Sequence, residues 1–194
     1  VECGVGTLLF DDTSPVAGGD HSVLWPRWDG ACRNEAFLSA LRVVAPHIRT
    51  AGEPQLTVVT GSRLINPQVT DAFIQERHPH LLVWSEEVDV CVGPLVEPGC
   101  GPCAGCLFNT RLESDPAWRY LVPQAINAPP VPPLRETREL AASLAARAVI
   151  GYLEGMGNSL ATLTWRIPPL PHTPTLTQAA VHPQCGCTID ERER

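Results

Sequence analysis

An α/β fold with a largely parallel sheet is predicted by three observations. Strand-like and helix-like segments alternate over the first half of the chain, the strand candidates are short apolar runs, and the helix candidates space their apolar residues at helical intervals. Val5 to Phe10 (VGTLLF) is the first run, and it ends at Asp11-Asp12. A Gly/Pro-rich loop leads through Gly30 to a helix from about Cys32 to Val44. There Phe37, Ala40, Leu41 and Val44 follow the i, i+3, i+4, i+7 rule, and Pro46 stands just past the end. Leu56 to Thr60 is a second strand. Asn66-Pro67 opens a shorter helix to about Arg77, with asparagine suited to the cap and proline to the first turn. Leu81 to Trp84 and Val88 to Val92 are two further strands, and Ser85-Glu86-Glu87 between them is long enough only for a hairpin, which adds an antiparallel edge.

After Gly93 the composition changes. Pro94 to Cys106 is rich in Gly, Pro and Cys and reads as a loop. Asp115 to Ile126 looks helical, and Ala128 to Leu134 (APPVPPL) is a proline linker that suits neither helix nor inner strand. Glu136 to about Glu154 is the clearest helix, with Leu140, Leu144, Ala148 and Tyr152 on one stripe. Leu160 to Arg166 alternates like a strand, and a second proline-rich stretch leads to His182-Pro-Gln-Cys-Gly-Cys187. The organisation expected is a core over 1–99 and a helical, metal-stapled extension over 100–194 that completes the same domain.

Composition limits the function. A chain of 194 residues that is 44% hydrophobic is long enough for one sizeable core. A net charge of −7 argues against nucleic acid as the main partner. No apolar run nears the roughly 20 residues of a membrane helix, and no secretion signal is visible, so a cytoplasmic location is expected. All fourteen basic residues are arginine, which removes every mechanism that needs a lysine.

The cysteines carry the sharpest signal. Cys3, Cys32 and Cys91 stand alone, whereas Cys100, Cys103 and Cys106 crowd together and Cys185 and Cys187 form a second knot. Two ligands from each of two tight loops complete a tetrahedron around Zn²⁺, and four thiolates leave no open position, so the expected site is structural: Cys103, Cys106, Cys185 and Cys187. Glycines 101, 105 and 186 permit the turns that aim the sulfurs inward. Cys100 also stands at CxxC spacing from Cys103, His182 offers a nitrogen in place of a sulfur, and free buried cysteines or a redox dithiol at Cys103/Cys106 are the competing readings. Asp11 and Asp12 follow a strand where a Rossmann-like fold often places an acid that holds a ribose, but no phosphate-cradling glycine loop precedes them, and a loop entry is the simpler account. His78 and His80 flank Pro79 without a nucleophile beside them in sequence, and the five tryptophans are scattered, as core residues are.

Taken in order, several motifs resemble the ThiF-type, ubiquitin-activating-enzyme-like partner proteins of azole/azoline peptide biosynthesis, also described as bacteriocin-biosynthesis cyclodehydratase or leader-peptide-binding proteins. These are Gly4-Val-Gly-Thr-Leu-Leu-Phe-Asp-Asp12 with Pro15-Val16, His80-Leu81, Val92-Gly-Pro-Leu-Val-Glu-Pro-Gly99, Cys103-Ala-Gly-Cys106-Leu, Asp115-Pro-Ala-Trp118, Gln124 and His182-Pro-Gln-Cys-Gly-Cys187. The resemblance implies a Rossmann-like sheet with helices on both faces, lacking its first strand and glycine loop here, which points to a chain that begins inside a longer protein.

It implies a partner role as well: binding a precursor peptide and handing it to a YcaO-type enzyme, with the chain itself a homodimer. Adenylating relatives carry an Asn-x-x-Arg-Gln element and a lysine after the acidic loop. This chain has Leu24-Trp25-Pro-Arg27-Trp28 there and only Arg33 near the lysine's place, which argues against ATP chemistry. The expected function is a non-catalytic scaffold. The alternatives are an adenylyltransferase acting on a peptide or small-protein carboxyl terminus, with its nucleotide loop before residue 1, and a zinc-stapled thiol redox module.

Overall fold

The computed structural model describes residues 4–18 and 27–188. The chain divides into two compact units, Val1–Pro54 and Gln55–Arg194. The compositional change near residue 99 falls inside the second unit, where strands from the C-terminal half join the sheet begun before it.

In the first unit, helix α1 (Arg33–Val44) forms where its periodicity and following proline place it. Its inner face is Ala36 and Leu41, joined by Val16 and Ala45, whereas Val44 at the helix end is 77% exposed. The expected strand Val5–Phe10 is not a strand of the sheet. Thr7 makes one parallel bridge to Arg49, with Leu8 N donating to Arg49 O (2.9 Å) and Arg49 N to Gly6 O (3.1 Å). The Arg49 segment is too short to extend the ladder, and Phe10 stacks on Phe37 with ring centroids 4.2 Å apart. Of the stretch Leu24-Trp25-Pro-Arg27-Trp28 singled out in the sequence, Leu24, Trp25 and Pro26 lie outside the described residues.

The second unit holds a sheet of five strands in sequence order: β1 (Thr57–Ser62), β2 (His80–Glu86), β3 (Asp89–Val96), β4 (Leu163–Ile167) and β5 (Thr175–Gln178). Only β1–β2 is parallel, with Thr57 opposite His80 and Ser62 opposite Ser85. The other three pairs are antiparallel, so the expectation of a mostly parallel sheet is corrected. A parallel pair needs a crossover, which α2 (Pro67–Gln75) supplies between β1 and β2, whereas β2 turns directly into β3 at Glu87-Val88. As read from sequence, Asn66 caps α2, its side chain accepting from Gln68 N (3.1 Å).

The stretch expected to be loop, Pro94 to Cys106, is loop only between Glu97 and Cys103. β3 runs on to Val96 through a bulge opposite Leu82, and α3 (Ala104–Ser114) begins inside the cysteine cluster. The bulge changes which face β3 presents. Val90, Val92 and Leu95 join one core while Val96 joins the other. Gly93 sits at the bulge with φ +108°, and a Cβ there would collide with the Leu163 carbonyl. Helix α4 (Trp118–Asn127) follows, then the proline linker, then α5 (Arg135–Leu153).

Helices cover both faces, as expected. α5 packs over Leu81, Val92, Leu95 and Ile167, and α2 and α3 pack over Val59, Leu82 and Val96 on the other face. The buried stripe of α5 is Thr137, Ala141, Ala145 and Ala148, with Leu144 and Tyr152 beside it. Leu140 is exposed, because small residues let the helix lie close to the sheet. Among the described residues, no helix is long and apolar enough to cross a membrane.

Candidate metal centre

The loop after β3 and the C-terminal tail meet at the start of α3. Cys103 is the N-cap residue of that helix and Cys106 stands in its first turn, three residues on, so the two sulfurs share one face. The tail returns through a turn in which Cys185 N donates to His182 O (3.0 Å), and Gly186 takes φ +72°, a conformation that favours glycine. This brings Cys185 Sγ within 3.4 Å of Cys103 Sγ and Cys187 Sγ within 3.4 Å of Cys106 Sγ, while Cys103 and Cys106 are 3.8 Å apart.

All four sulfurs lie within 4.8 Å of one another. None is in a disulfide. Four thiolates each about 2.3 Å from one tetrahedral ion would be about 3.8 Å apart, so the cluster is already close to the shape that an ion requires. Gly105 is part of that shape. A Cβ there would sit 2.9 Å from Cys185 Sγ and 3.5 Å from Cys103 Sγ.

The electrostatics favour a negative sulfur at Cys106. The Cys103 thiol donates to Cys106, and with backbone groups of His182 and Cys103 and the Cys187 thiol this outweighs burial and draws Cys106 down to about 4. Cys103 is pushed up by that same donation and by burial, and burial pushes Cys187 up to about 12. The N-terminus of α3 adds a positive dipole end beside the cluster. The arrangement can hold a metal ion. With four sulfurs around it, no position is left for water or substrate.

Among the described residues, the other cysteines and the neighbouring histidine stand outside this group. Cys100 is exposed, and Cys91 is buried in β3, where burial pushes its thiol up to about 12. His182 is buried, its Nδ1 accepts from Gln184 N (3.2 Å), and its Nε2 lies 3.1 Å from a Glu113 carboxylate oxygen without hydrogen-bond alignment.

The candidate nucleotide contacts form a local network instead. Asp12 accepts from Ser14 N (2.9 Å) and from the Ser14 hydroxyl, and Arg33 Nη1 reaches both Asp12 Oδ2 (3.3 Å) and Ser14 Oγ (2.7 Å). Burial would raise the Asp12 carboxyl, but the Ser14 and Arg33 contacts outweigh it and hold it below the usual carboxylate range. Asp11 beside it is exposed. His80 is fully buried at the start of β2, its Nδ1 3.0 Å from His78 O, and burial pushes its imidazole below the usual histidine range.

Sequence reasoning missed a second feature, a cavity of about 240 Å³ between β2, α3 and α4. Trp84, Phe108 and Trp118 wall it. At its edge Arg111 pairs with Glu86 (2.7 Å) and lies over the Trp118 ring at 4.9 Å. These residues come from separate segments with no shared motif, so nothing in the sequence announced them.

No family model and no curated protein matches this sequence. Solved structures do match. MccB of E. coli crystallised with ATP aligns over 95% of this chain and 59% of its own, with a TM-score of 0.74 and 15% identity. The microcin C7 biosynthetic enzyme MccB in complex with N-formylated MccA aligns over 95% and 61%, with a TM-score of 0.74 and 15% identity. PaaA aligns over 90% and 65%, with a TM-score of 0.65 and 10% identity. At such identities the likeness shows the fold, which is ThiF-like. The chain spans about three-fifths of the length of MccB.

Proposed function

We propose that this chain is a zinc-stapled, ThiF-like binding module of ribosomal peptide biosynthesis, which holds a precursor peptide and presents it to a YcaO-type enzyme without turning over ATP itself. The observation that supports the reading is the fold shared with MccB, a microcin C7 biosynthetic enzyme solved in complex with N-formylated MccA. N-formylation marks a ribosomally made chain. Zinc is the ion assigned to Cys103, Cys106, Cys185 and Cys187, because a closed set of four thiolates suits its tetrahedral preference and its softness. It would join the loop before α3 to the tail as a staple and take no part in chemistry.

The absence of turnover is argued from charge. Forming an acyl-adenylate requires donors and cations around the departing pyrophosphate, and removing one such group commonly costs about two to three orders of magnitude in rate. This chain has no lysine, and Arg33 is engaged with Asp12 and Ser14. The MccB complex with ATP supports a second reading, in which these residues belong to an adenylyltransferase acting on a peptide carboxyl terminus.

Sequencing the neighbouring genes for a short Cys/Ser/Thr-rich peptide, then calorimetric titration with any such peptide and ATP–pyrophosphate exchange on the same sample, separates the two. Peptide binding without exchange supports the module. Peptide-dependent exchange establishes the adenylyltransferase, and no such peptide or no binding removes the peptide role.

A further inference from the structure

The cavity of about 240 Å³ between β2, α3 and α4 contains none of the four clustered cysteines. Two of its edges are the ends of parallel strands. Arg63 directly follows β1, and Trp84 and Glu86 close β2. Open α/β sheets take ligands at this carboxyl end, where the connections diverge and leave a crevice. Trp84, Phe108 and Trp118 line the cavity while only half-buried, which leaves apolar ring surface uncovered. The volume lies below the roughly 300 Å³ at which pockets for drug-sized ligands begin, so it suits one ring with a short arm.

Charge decides which ring-bearing ligand fits. Glu86, the acidic residue of the lining, is already shared between Arg111 Nη1 (2.7 Å) and Arg166 Nη1 (2.6 Å). It has little left to offer a cation. Arg63 is the unmatched charge: its Nη1 donates to Ala128 O (3.3 Å), and no carboxylate pairs with it among the described residues. Its backbone adds an independent observation. Arg63 takes φ +68°, the left-handed region that favours glycine, so an arginine is held here against a conformational cost. A guanidinium binds a carboxylate through paired N–H donors, and a partly dry aromatic cavity strengthens that contact.

We infer that the cavity binds a small aryl carboxylate, with the ring among Trp84, Phe108 and Trp118 and the carboxylate on Arg63. A free aromatic acid and a polypeptide ending in an aromatic residue both offer this chemistry. The site rests on neither the metal centre nor the precursor-peptide reading, and either can fail without it.

The test is an NMR titration of the full chain that follows the indole N–H signals of Trp84, Trp118 and Trp165. The ligands are 3-phenylpropionate, its neutral amide, and propionate, which lacks the ring. The acid should shift Trp84 and Trp118 and leave Trp165, which packs against the other core, unmoved. The amide and propionate should bind at least about tenfold more weakly. Arg63→Gly should lower the acid's affinity to that of the amide while the melting temperature holds or rises, because glycine suits φ +68°. Phe108→Ala should weaken acid and amide together. A tripeptide ending in phenylalanine with a free carboxylate names the source: tighter binding than the free acid supports the site as a seat for a polypeptide terminus, and weaker binding supports it as a seat for a free acid. The inference is overturned if acid and amide bind alike, if Trp84 and Trp118 do not respond, or if neither variant changes the acid's affinity. It is equally overturned if Arg63→Gly unfolds the chain, which would make the arginine structural.

Discussion

Gly105 shows how much of the centre rests on a missing side chain. A methyl group there would lie 2.9 Å from Cys185 Sγ, inside ordinary contact, so Gly105→Ala should weaken metal retention without removing a ligand. The check is competition with a chromogenic chelator, with faster metal loss than in the parent protein. Cys106→Ser removes a ligand and leaves three sulfurs around the ion. Loss of stoichiometric metal and a lower melting temperature are expected, since structural zinc contributes on the order of 10 kcal/mol in small domains. Asp12 carries a pH prediction. Its folded carboxyl titrates below the unfolded one, so its contribution is complete above the unfolded value and is lost as pH falls through the folded value. Asp12→Asn should therefore flatten the acid limb of thermal stability below about pH 5 and leave the neutral region with less change in slope. Melts across that range, parent against variant, decide it.

The elements differ in how legibly their sequences announce them. Caps and breakers made α1, α2 and α5 readable to within about two residues: Asn66-Pro67 opens α2 as expected, and Pro46 stands beyond α1. Helix α3 was hidden because its first turn is spelled Cys-Ala-Gly-Cys, residues chosen for sulfur geometry over helix propensity. Strand β5 was hidden because all four of its residues are exposed, so no apolar alternation marks it, and prolines surround it. The hairpin from β2 into β3 was expected; the parallel expectation failed because Val5–Phe10 contributes only an isolated bridge and because β4 and β5 add antiparallel beyond β3. The face of β3 was unreadable from period-2 reasoning because the bulge at Gly93 reverses the parity. That bulge gives an element-scale test. Gly93→Ala would place a Cβ against the Leu163 carbonyl at φ +108°, so a loss of about 2 kcal/mol or more is expected in denaturant unfolding. Asn66→Ala, which removes only the cap of α2, should cost about 1 kcal/mol in the same assay.

At the scale of the molecule, the centre joins segments 82 residues apart, from Cys103 to Cys185, and everything from α3 through β5 lies between them. A link of that span removes a large loop-closure entropy from the unfolded chain, and its value grows only slowly with further length. The gathering of Cys103, Cys106, Cys185 and Cys187 was legible in the sequence because the two cysteine pairs are compact and unlike their surroundings. The cavity beside Trp118 was not, because it is assembled from β2, α3 and α4, and only the folded chain brings them together. The fold, the sulfur cluster and the absence of lysine are the observations on which the proposed reading, a module held in shape by an ion with its chemistry supplied by partners, rests. The most direct test is native mass spectrometry of freshly purified, unoxidised protein with and without chelator. One zinc per chain, lost in Cys106→Ser and retained in Cys100→Ser, is the predicted result. A metal-free chain with four reactive thiols and an unchanged melting temperature would contradict the account.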